Sequence, residues 1–345
     1  MWMKNAAAIL VDTHYGTNLR GVTPLETAIV EHFGSSGQKW AKRSPLVRAM
    51  MAVWVGRKYD LVVTCQSWPG GKWIVLLHGL LGRRHVMLLE FILNPRRGLK
   101  ALAYKVWFGW LLAPALRRSL RAAQVMADWE IPPYARTLKM PESTFRHVSW
   151  PLFDDWAEAK PAERTAGKVL SSGRAACDWE TLFRAAEDTD WRLTVICGKA
   201  DKGRVDRLNS GARAEVLCDV PPEEHEAHLR SSAVYVLALE EWTMSSGHVR
   251  LMRAISAGVP VVAAGVKGLE GYAIDGVTAL VVPPGDAQAL RAAVGRLLSD
   301  PAEARDLSRR ALEFAKARTM SSYHDRLTEV VREVASEGAG DWARA

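Results

Sequence analysis

Between residues 233 and 286 the chain reads AVYVLALEEWTMSSGHVRLMRAISAGVPVVAAGVKGLEGYAIDGVTALVVPPGD, and few folds accommodate that order of residues. Residues 234–239 have the length and branching of a buried strand. A loop follows and ends in Ser245-Ser246-Gly247-His248. Apolar residues at Val249, Leu251, Met252, Ile255 and Ala257 then mark a helix, stopped by Gly258. A second buried strand, residues 259–264, comes at once. Strand, loop, helix and strand within about thirty residues make a βαβ unit, the building block of parallel sheets. In an open parallel sheet the ligand sits beyond the carboxyl ends of the strands. Here that place is the Ser-Ser-Gly loop. Serine is a good N-cap, glycine lets a ligand approach the backbone, and the unpaired N–H groups of a first helical turn favour phosphate. An ordinary capped helix would show the same loop, and the residues alone leave both readings open.

The 345 residues are enough for two domains, each with its own core. No signal peptide pattern is visible, and the four cysteines, at 65, 177, 197 and 218, form no C-x-x-C. Reduced thiols and a cytoplasmic location are therefore expected.

The net charge of +8 is unevenly distributed. Residues 1–160 carry 22 Lys and Arg against 11 Asp and Glu, and between Lys39 and Arg121 the count is 16 against 2. Such a zone suits nucleic acid or an anionic membrane surface. The aromatic company of the stretch LKALAYKVWFGWLLAPALRRSLR (99–121) favours the membrane, with Lys105, Trp107, Phe108, Trp110, Arg117 and Arg118 facing it. Only residues 106–116 lack charge, too few to span a bilayer. A core helix with a solvated basic face is the competing reading. No nucleic-acid partner is expected. Peripheral attachment to the inner face of the cell membrane is the localisation that the segment favours.

Taken in order, residues 6–12 read as the first strand, and a loop containing Gly16 follows. Thr23-Pro24 reads as a cap and first turn. Strands are expected at 59–65, 84–91, 124–127 and 145–150, with a helix over 70–83. His78, among Ile74, Leu77 and Leu81, reads as a packed histidine. Glu90 closes a buried strand, where it could hydrogen-bond a hydroxyl substrate or pair with nearby arginines. The Pro-, Ala- and charge-rich stretch near 158–166 marks a domain boundary. The second domain opens with a strand and glycine turn at Lys168–Arg174, then a helix capped by Asp178. A further strand covers 192–197. Helix 287–298 and a long amphipathic stretch over 302–335 close the chain. Asp188-Thr189-Asp190 and His225-Glu226-Ala227-His228 have metal-like spacings but read as a loop at the wrong sheet edge and a solvated helix face.

The run RAISAGVPVVAAGVKGLEGYAIDGVTALVVPPGDAQALRAAVGRLLSDP resembles the C-terminal half of glycosyltransferase family 4. That family's pattern is E-A-M-A-x-G-x-P-V-V, a glycine loop, D-G-x-T-G-L-L-V-x-P-G-D, and a helix ending near D-P. The resemblance covers roughly 167–330; residues 1–150 match in outline only. It implies an α/β chain of GT-B fold, two Rossmann-like parallel-sheet domains facing each other across a cleft. The implied domains are 1–160 on the acceptor side and 167–320 on the nucleotide-sugar side, with helix 321–336 crossing back to the first domain. The implied activity is sugar transfer from a nucleotide diphosphate-sugar to a hydroxyl acceptor, with retention of configuration and without metal or other cofactor. The basic aromatic segment hints at a lipid-linked or amphiphilic acceptor.

By the same resemblance the donor would be held by Gly16, Gly173, Arg174, Lys199, Ser245, Ser246, Gly247 and His248, with Glu90 on the acceptor. The family's first diphosphate turn carries a basic pair, of which only Arg174 is present; Lys199 and Lys202 are the substitutes at hand. The chain departs from the family at two places. The family's glutamates, eight positions apart around the central helix, fall on Ser245 and Arg253. A subset of such enzymes has S-x-G-(Q/H) at the helix start, which Ser245–His248 resembles. Glu240, Glu241 and Glu270 are the nearest acidic residues. Two alternatives stand beside the transferase: a non-catalytic GT-B subunit that binds a partner or glycan, and a GT-B nucleotide-sugar epimerase.

Overall fold

The computed structural model describes residues 7–13, 18–93, 108–153, 164–211, 213–242 and 244–337. The chain divides into two compact units, Met1–Ser149 with Tyr323–Ala345, and Trp150–Ser322.

In the first unit, β1 (Ile9–Asp12), β2 (Thr23–Pro24), β3 (Leu61–Cys65), β4 (Val86–Leu89), β5 (Leu120–Val125) and β6 (Phe145–His147) form one sheet. The order is β2-β1-β3-β4-β5-β6, and every pair is parallel. Strands β1, β3 and β4 are buried along their whole length and, apart from Asp12 and Thr64, are apolar, the pattern of a parallel sheet covered on both faces. The register Val11↔Val63 and Val63↔Met87 stacks branched and long side chains across the centre.

The helices of this unit are α1 (Leu25–Arg43), α2 (Pro45–Val55), α3 (Gly71–Leu80), α4 (Ala113–Ser119) and α5 (Ile131–Leu138). Helix α1 is bent at Gly34, whose φ is 66°. Ser44 caps α2, accepting from the Val47 N–H at 3.3 Å, with Pro45 in the first turn. Thr23 and Pro24 do not begin α1 through a side-chain cap: they pair with β1 as a short strand. Strand β5 starts at Leu120, four residues before the expected 124, because Arg84 Nε donates to Leu120 O and His85 N to Ser119 O. The expected strand 84–91 shrinks to β4, and 145–150 to β6.

In the second unit, β7 (Lys168–Gly173), β8 (Arg192–Cys197), β9 (Glu215–Cys218), β10 (Val234–Leu237), β11 (Val261–Ala264) and β12 (Leu280–Val282) form the other sheet. Its order is β12-β11-β10-β7-β8-β9, again all parallel. The helices are α6 (Trp179–Ala186), α7 (Lys199–Leu208), α8 (Pro222–Arg230), α9 (His248–Ser256), α10 (Ala287–Ser299) and α11 (Pro301–Ala315). Aspartates begin three of them. Asp178 accepts from Thr181 N, Asp286 from Gln288 and Ala289, and Asp300 from Ala302 and Glu303. The amphipathic stretch over 302–335 forms two helices. Helix α11 ends at Ala315, a 3-10 turn covers Lys316–Arg318, and α12 (Met320–Glu337) follows. Tyr323, Leu327, Val330, Val331 and Val334 of α12 are buried, and Arg121 donates to Val334 O at 3.4 Å. From Tyr323 onward α12 belongs to the first unit.

Candidate active site

The carboxyl ends of β7, β8 and β10 carry most of the residues that the sequence singles out in the second unit. Helix α9 opens just beyond β10. Its N-cap is Gly247, with φ 89°, rather than a serine with a side-chain cap. The reason is steric. A Cβ at Gly247 would lie 2.8 Å from Leu239 Cδ1 and 3.1 Å from Leu269 Cδ2, and the positive φ suits glycine alone. The first hydrogen bond of the helix runs from Leu251 N to Gly247 O at 2.9 Å. The N–H groups of His248, Val249 and Arg250 therefore precede the helical ladder. Ser245 is buried. Ser246 is half-buried, with its hydroxyl oxygen buried and no hydrogen-bond partner among the described residues. Gly268 makes room for it, since a Cβ there would lie 2.9 Å from Ser246 Oγ. His248 is buried with its ring 4.1 Å from that of Tyr272.

Arg250 ties this turn to the loop after β7. Its Nη1 donates to Ser172 O at 2.8 Å and reaches Cys177 Sγ at 3.2 Å, while Nη2 donates to Ala175 O at 3.1 Å. Gly173 lies under that guanidinium, where a Cβ would come within 2.1 Å of Nη1. Sequence reasoning missed Arg250; its position in the first turn of the helix, a poor place for a cation, was the available signal. Burial pushes the Cys177 thiol up in pKa against the pull of Arg250.

Arg174 is 72% exposed and pairs with Asp219 at 3.1 Å. Its Cγ would lie 3.0 Å from a Cβ at Gly198, so its stem runs over the residue that caps α7. Lys199 is the exposed first residue of that helix. Lys202 is held by Asp206 one turn on. Gly173, Arg174 and Lys199 are thus brought together by β7 and β8, and Arg250 links them to the Ser245–His248 turn.

Beneath this edge, Ser172 Oγ is 2.8 Å from His225 Nε2 and 2.8 Å from Tyr235 OH. Burial holds the His225 pKa below the ordinary imidazole value. The expected solvated face for His225 is corrected: the ring is tied to the end of β7, and Leu229 of α8 is buried. Glu226 beside it meets Arg253 at 2.8 Å and Arg230 at 2.5 Å. Arg253 also lies over the Phe153 ring at 5.1 Å. The three nearby carboxylates are engaged elsewhere. Glu240 pairs with Arg204, Glu241 accepts the Lys267 N–H, and Glu270 pairs with the Lys267 ammonium. Asp188-Thr189-Asp190 lies between α6 and β8, at the amino end of that strand. Among the described residues no group of three or more His, Cys, Asp or Glu is placed to hold a metal ion.

In the first unit, Glu90 stands one residue past β4 in a left-handed conformation, φ 51°. Its N–H donates to Gln124 Oε1 at 2.9 Å, and Ser67 Oγ lies 3.5 Å from its carboxylate. At the end of β1, Asp12 accepts from Arg48 Nε at 2.9 Å and Trp68 Nε1 at 3.0 Å. Burial raises the Asp12 pKa despite both partners. Nothing in the sequence singled out this pair, 36 residues apart. Gly16, Lys105 and Trp107 lie outside the described residues, as does the Phe108 side chain. Trp110 is 85% exposed, Arg118 is exposed, and Arg117 is half-buried near Leu138 O.

Residues 178–300 match the family model described as "Glycosyl transferases group 1". A glycosyltransferase from Rickettsia africae superposes with a TM-score of 0.66 at 12% identity, covering 96% of this chain and 99% of that one. Anabaena HepE, solved in complex with UDP, gives 0.64 at 13% identity over 94% and 100%. A sucrose-phosphate synthase from Thermosynechococcus elongatus gives 0.59 at 22% identity over 84% and 78%. The chain has the GT-B fold. In this GT-B chain the matched segment, that of a glycosyltransferase, runs from the cap of α6 to the residue before α11. No curated protein sequence matches the chain.

Proposed function

We propose that this GT-B chain is a retaining, metal-independent glycosyltransferase of family 4 type. It would move a sugar from a nucleotide diphosphate-sugar to a hydroxyl acceptor at a membrane surface. The observation that carries the reading is the convergence on one sheet edge of Arg174, Lys199 and the first turn of α9, tied by Arg250 to the loop after β7. UDP in the Anabaena structure and the activities in the names of the neighbours point the same way.

Transfer leaves a nucleoside diphosphate carrying the charge of the broken glycosidic bond. Without a metal that charge must meet fixed cations and amide dipoles, the kind of prearranged electrostatics that dominates many barriers. One helix N-terminus supplies about 0.3–2 kcal/mol, so Arg174 and Lys199 are needed beside it. Arg174, planar and bidentate, is the stronger phosphate ligand. Ser246, whose buried hydroxyl has no hydrogen-bond partner among the described residues, can donate to a donor oxygen. Ser245, Gly247 and His248 complete that turn, and Gly173 keeps the loop open for Arg250. Glu90 is proposed to hydrogen-bond or deprotonate the acceptor hydroxyl.

Arg174→Ala is expected to abolish transfer with the fold intact, measured as nucleotide release with circular dichroism as the control. Full activity would remove it from the diphosphate role. A second reading, a non-catalytic subunit, is favoured by Ser245 and Arg253 at the positions of the family's two glutamates, with Arg253 engaged by Glu226. Calorimetry with a panel of nucleoside diphosphates separates the two: binding of none supports the subunit.

A further inference from the structure

Helix α2 has only one charged side chain, Arg48, and that one is turned inward onto Asp12. Its outer face is left to Leu46, Met50 and Trp54, spaced i, i+4, i+8 along one stripe. Met50 is 56% exposed and Trp54 46%. A helix apolar on both its inner and outer faces is not the usual surface helix of a soluble domain. The neighbours extend the stripe. Helix α1 packs beside α2, α3 beside α2, and α4 beside α3. They add Trp40 on α1, 60% exposed, Trp73 on α3, and Trp110 in the turn Phe108–Leu112 that leads into α4. Ten of the eleven exposed large hydrophobics among the described residues belong to this run of helices and its turns. Trp54 is held in place by the rings of His32 and Phe33, 5.7 and 5.1 Å away.

Charge selects the occupant. Between Glu31 and Asp60 the chain has six Lys and Arg and no acidic residue. With Arg48 buried, Lys39, Lys42, Arg43, Arg57 and Lys58 remain, all exposed. Tryptophans and methionine among lysines match the boundary of an anionic bilayer, where rings sit at headgroup level and each cation contributes on the order of 1 kcal/mol. We propose that α1 and α2, with the adjoining edge of α3 and the turn before α4, form a docking face for anionic lipid. This rests on the membrane-surface reading above but assigns it chiefly to α1 and α2 rather than to residues 99–121 alone.

The full chain is sedimented with phosphatidylcholine vesicles, with and without phosphatidylglycerol, in the absence of donor. Binding is expected only with phosphatidylglycerol and is expected to fall as salt rises. Met50→Glu with Trp54→Glu, and separately Lys39→Glu with Lys42→Glu, should each weaken it by about tenfold or more. Arg305→Glu, an exposed charge change in the other unit, should not. Should the Met50–Trp54 double variant fail to fold, Trp54→Phe preserves the packing. Quenching of tryptophan emission by brominated phosphatidylglycerol should then drop. Equal binding by wild type and both double variants overturns the proposal. So does a dimer in sedimentation velocity that Trp54→Glu dissociates while vesicles are ignored, since the face would then meet a second copy. Nucleoside diphosphate calorimetry on the same samples reports the donor site separately, so failure here is distinguishable from failure there.

Discussion

A methyl group at Gly173 would sit 2.1 Å from Nη1 of Arg250 and 2.4 Å from Sγ of Cys177, closer than heavy atoms can approach. Gly173→Ala must therefore displace the guanidinium that fixes the loop after β7. We expect a stability loss of about 1–3 kcal/mol, read by urea denaturation. Weaker nucleotide binding by calorimetry should accompany it, because the turn and the loop part company. His78 is the opposite kind of residue. It is fully buried, its Nδ1 pairs with Ile74 O at 2.9 Å, and burial holds its pKa at about 4. The folded state thus resists protonation that the unfolded chain accepts from its ordinary value near 6.5 downward. Stability from the neutral ring is whole above pH 6.5 and falls as pH drops towards 4, by up to roughly 3 kcal/mol. His78→Leu should flatten that slope, and urea titrations at pH 7.5 and 5 decide it: an unchanged slope would clear His78 of the effect.

Helices and strands carry the next level of consequence. Arg48 of α2 reaches Asp12 at the end of β1, and both are buried. Breaking such a pair from one side strands a charge, so Asp12→Leu or Arg48→Met alone should cost about 3–5 kcal/mol, while the double variant recovers much of it. A double-mutant cycle in denaturant measures the coupling, and additive losses would show that the pair does not act as a unit. This contact also shows what the sequence could convey. The β10–α9–β11 unit was legible because buried β-branched runs, a 3.6-residue period and glycine punctuation all agree there. Strand β5 was half missed, since Leu120 and Arg121 fall within the basic aromatic stretch 99–121, read as a membrane-facing segment. Asp12–Arg48 and Arg253–Glu226 could not be read at all, because nothing local marks a partner 27 or 36 residues distant. In the candidate site, Gly173 and Gly247 were legible as punctuation. The cap role of Gly247 was not, because Ser245 and Ser246 are better local caps and Leu239 and Leu269 decide the matter through space.

At the level of the whole molecule, the first unit is built from two separate pieces of chain and the second from one. The buried residues of α12 belong to the first unit, with Gln124 and Tyr323 OH 3.5 Å apart and Arg332 donating to Arg20 O at 2.9 Å. Truncation after Arg318 should therefore unfold the first unit selectively. Hydrogen exchange would show loss of protection in β1, β3 and β5 with β7, β8 and β10 retained; equal protection in both sheets would contradict it. The same arrangement sets an order of events at the ribosome. Everything the second sheet requires has emerged by Ser322, while the first sheet, though made earlier, must wait for a segment synthesised after its neighbour is complete. The amino-terminal half is thus the later of the two to mature, and its apolar strands are the ones left for chaperones to shield in the meantime.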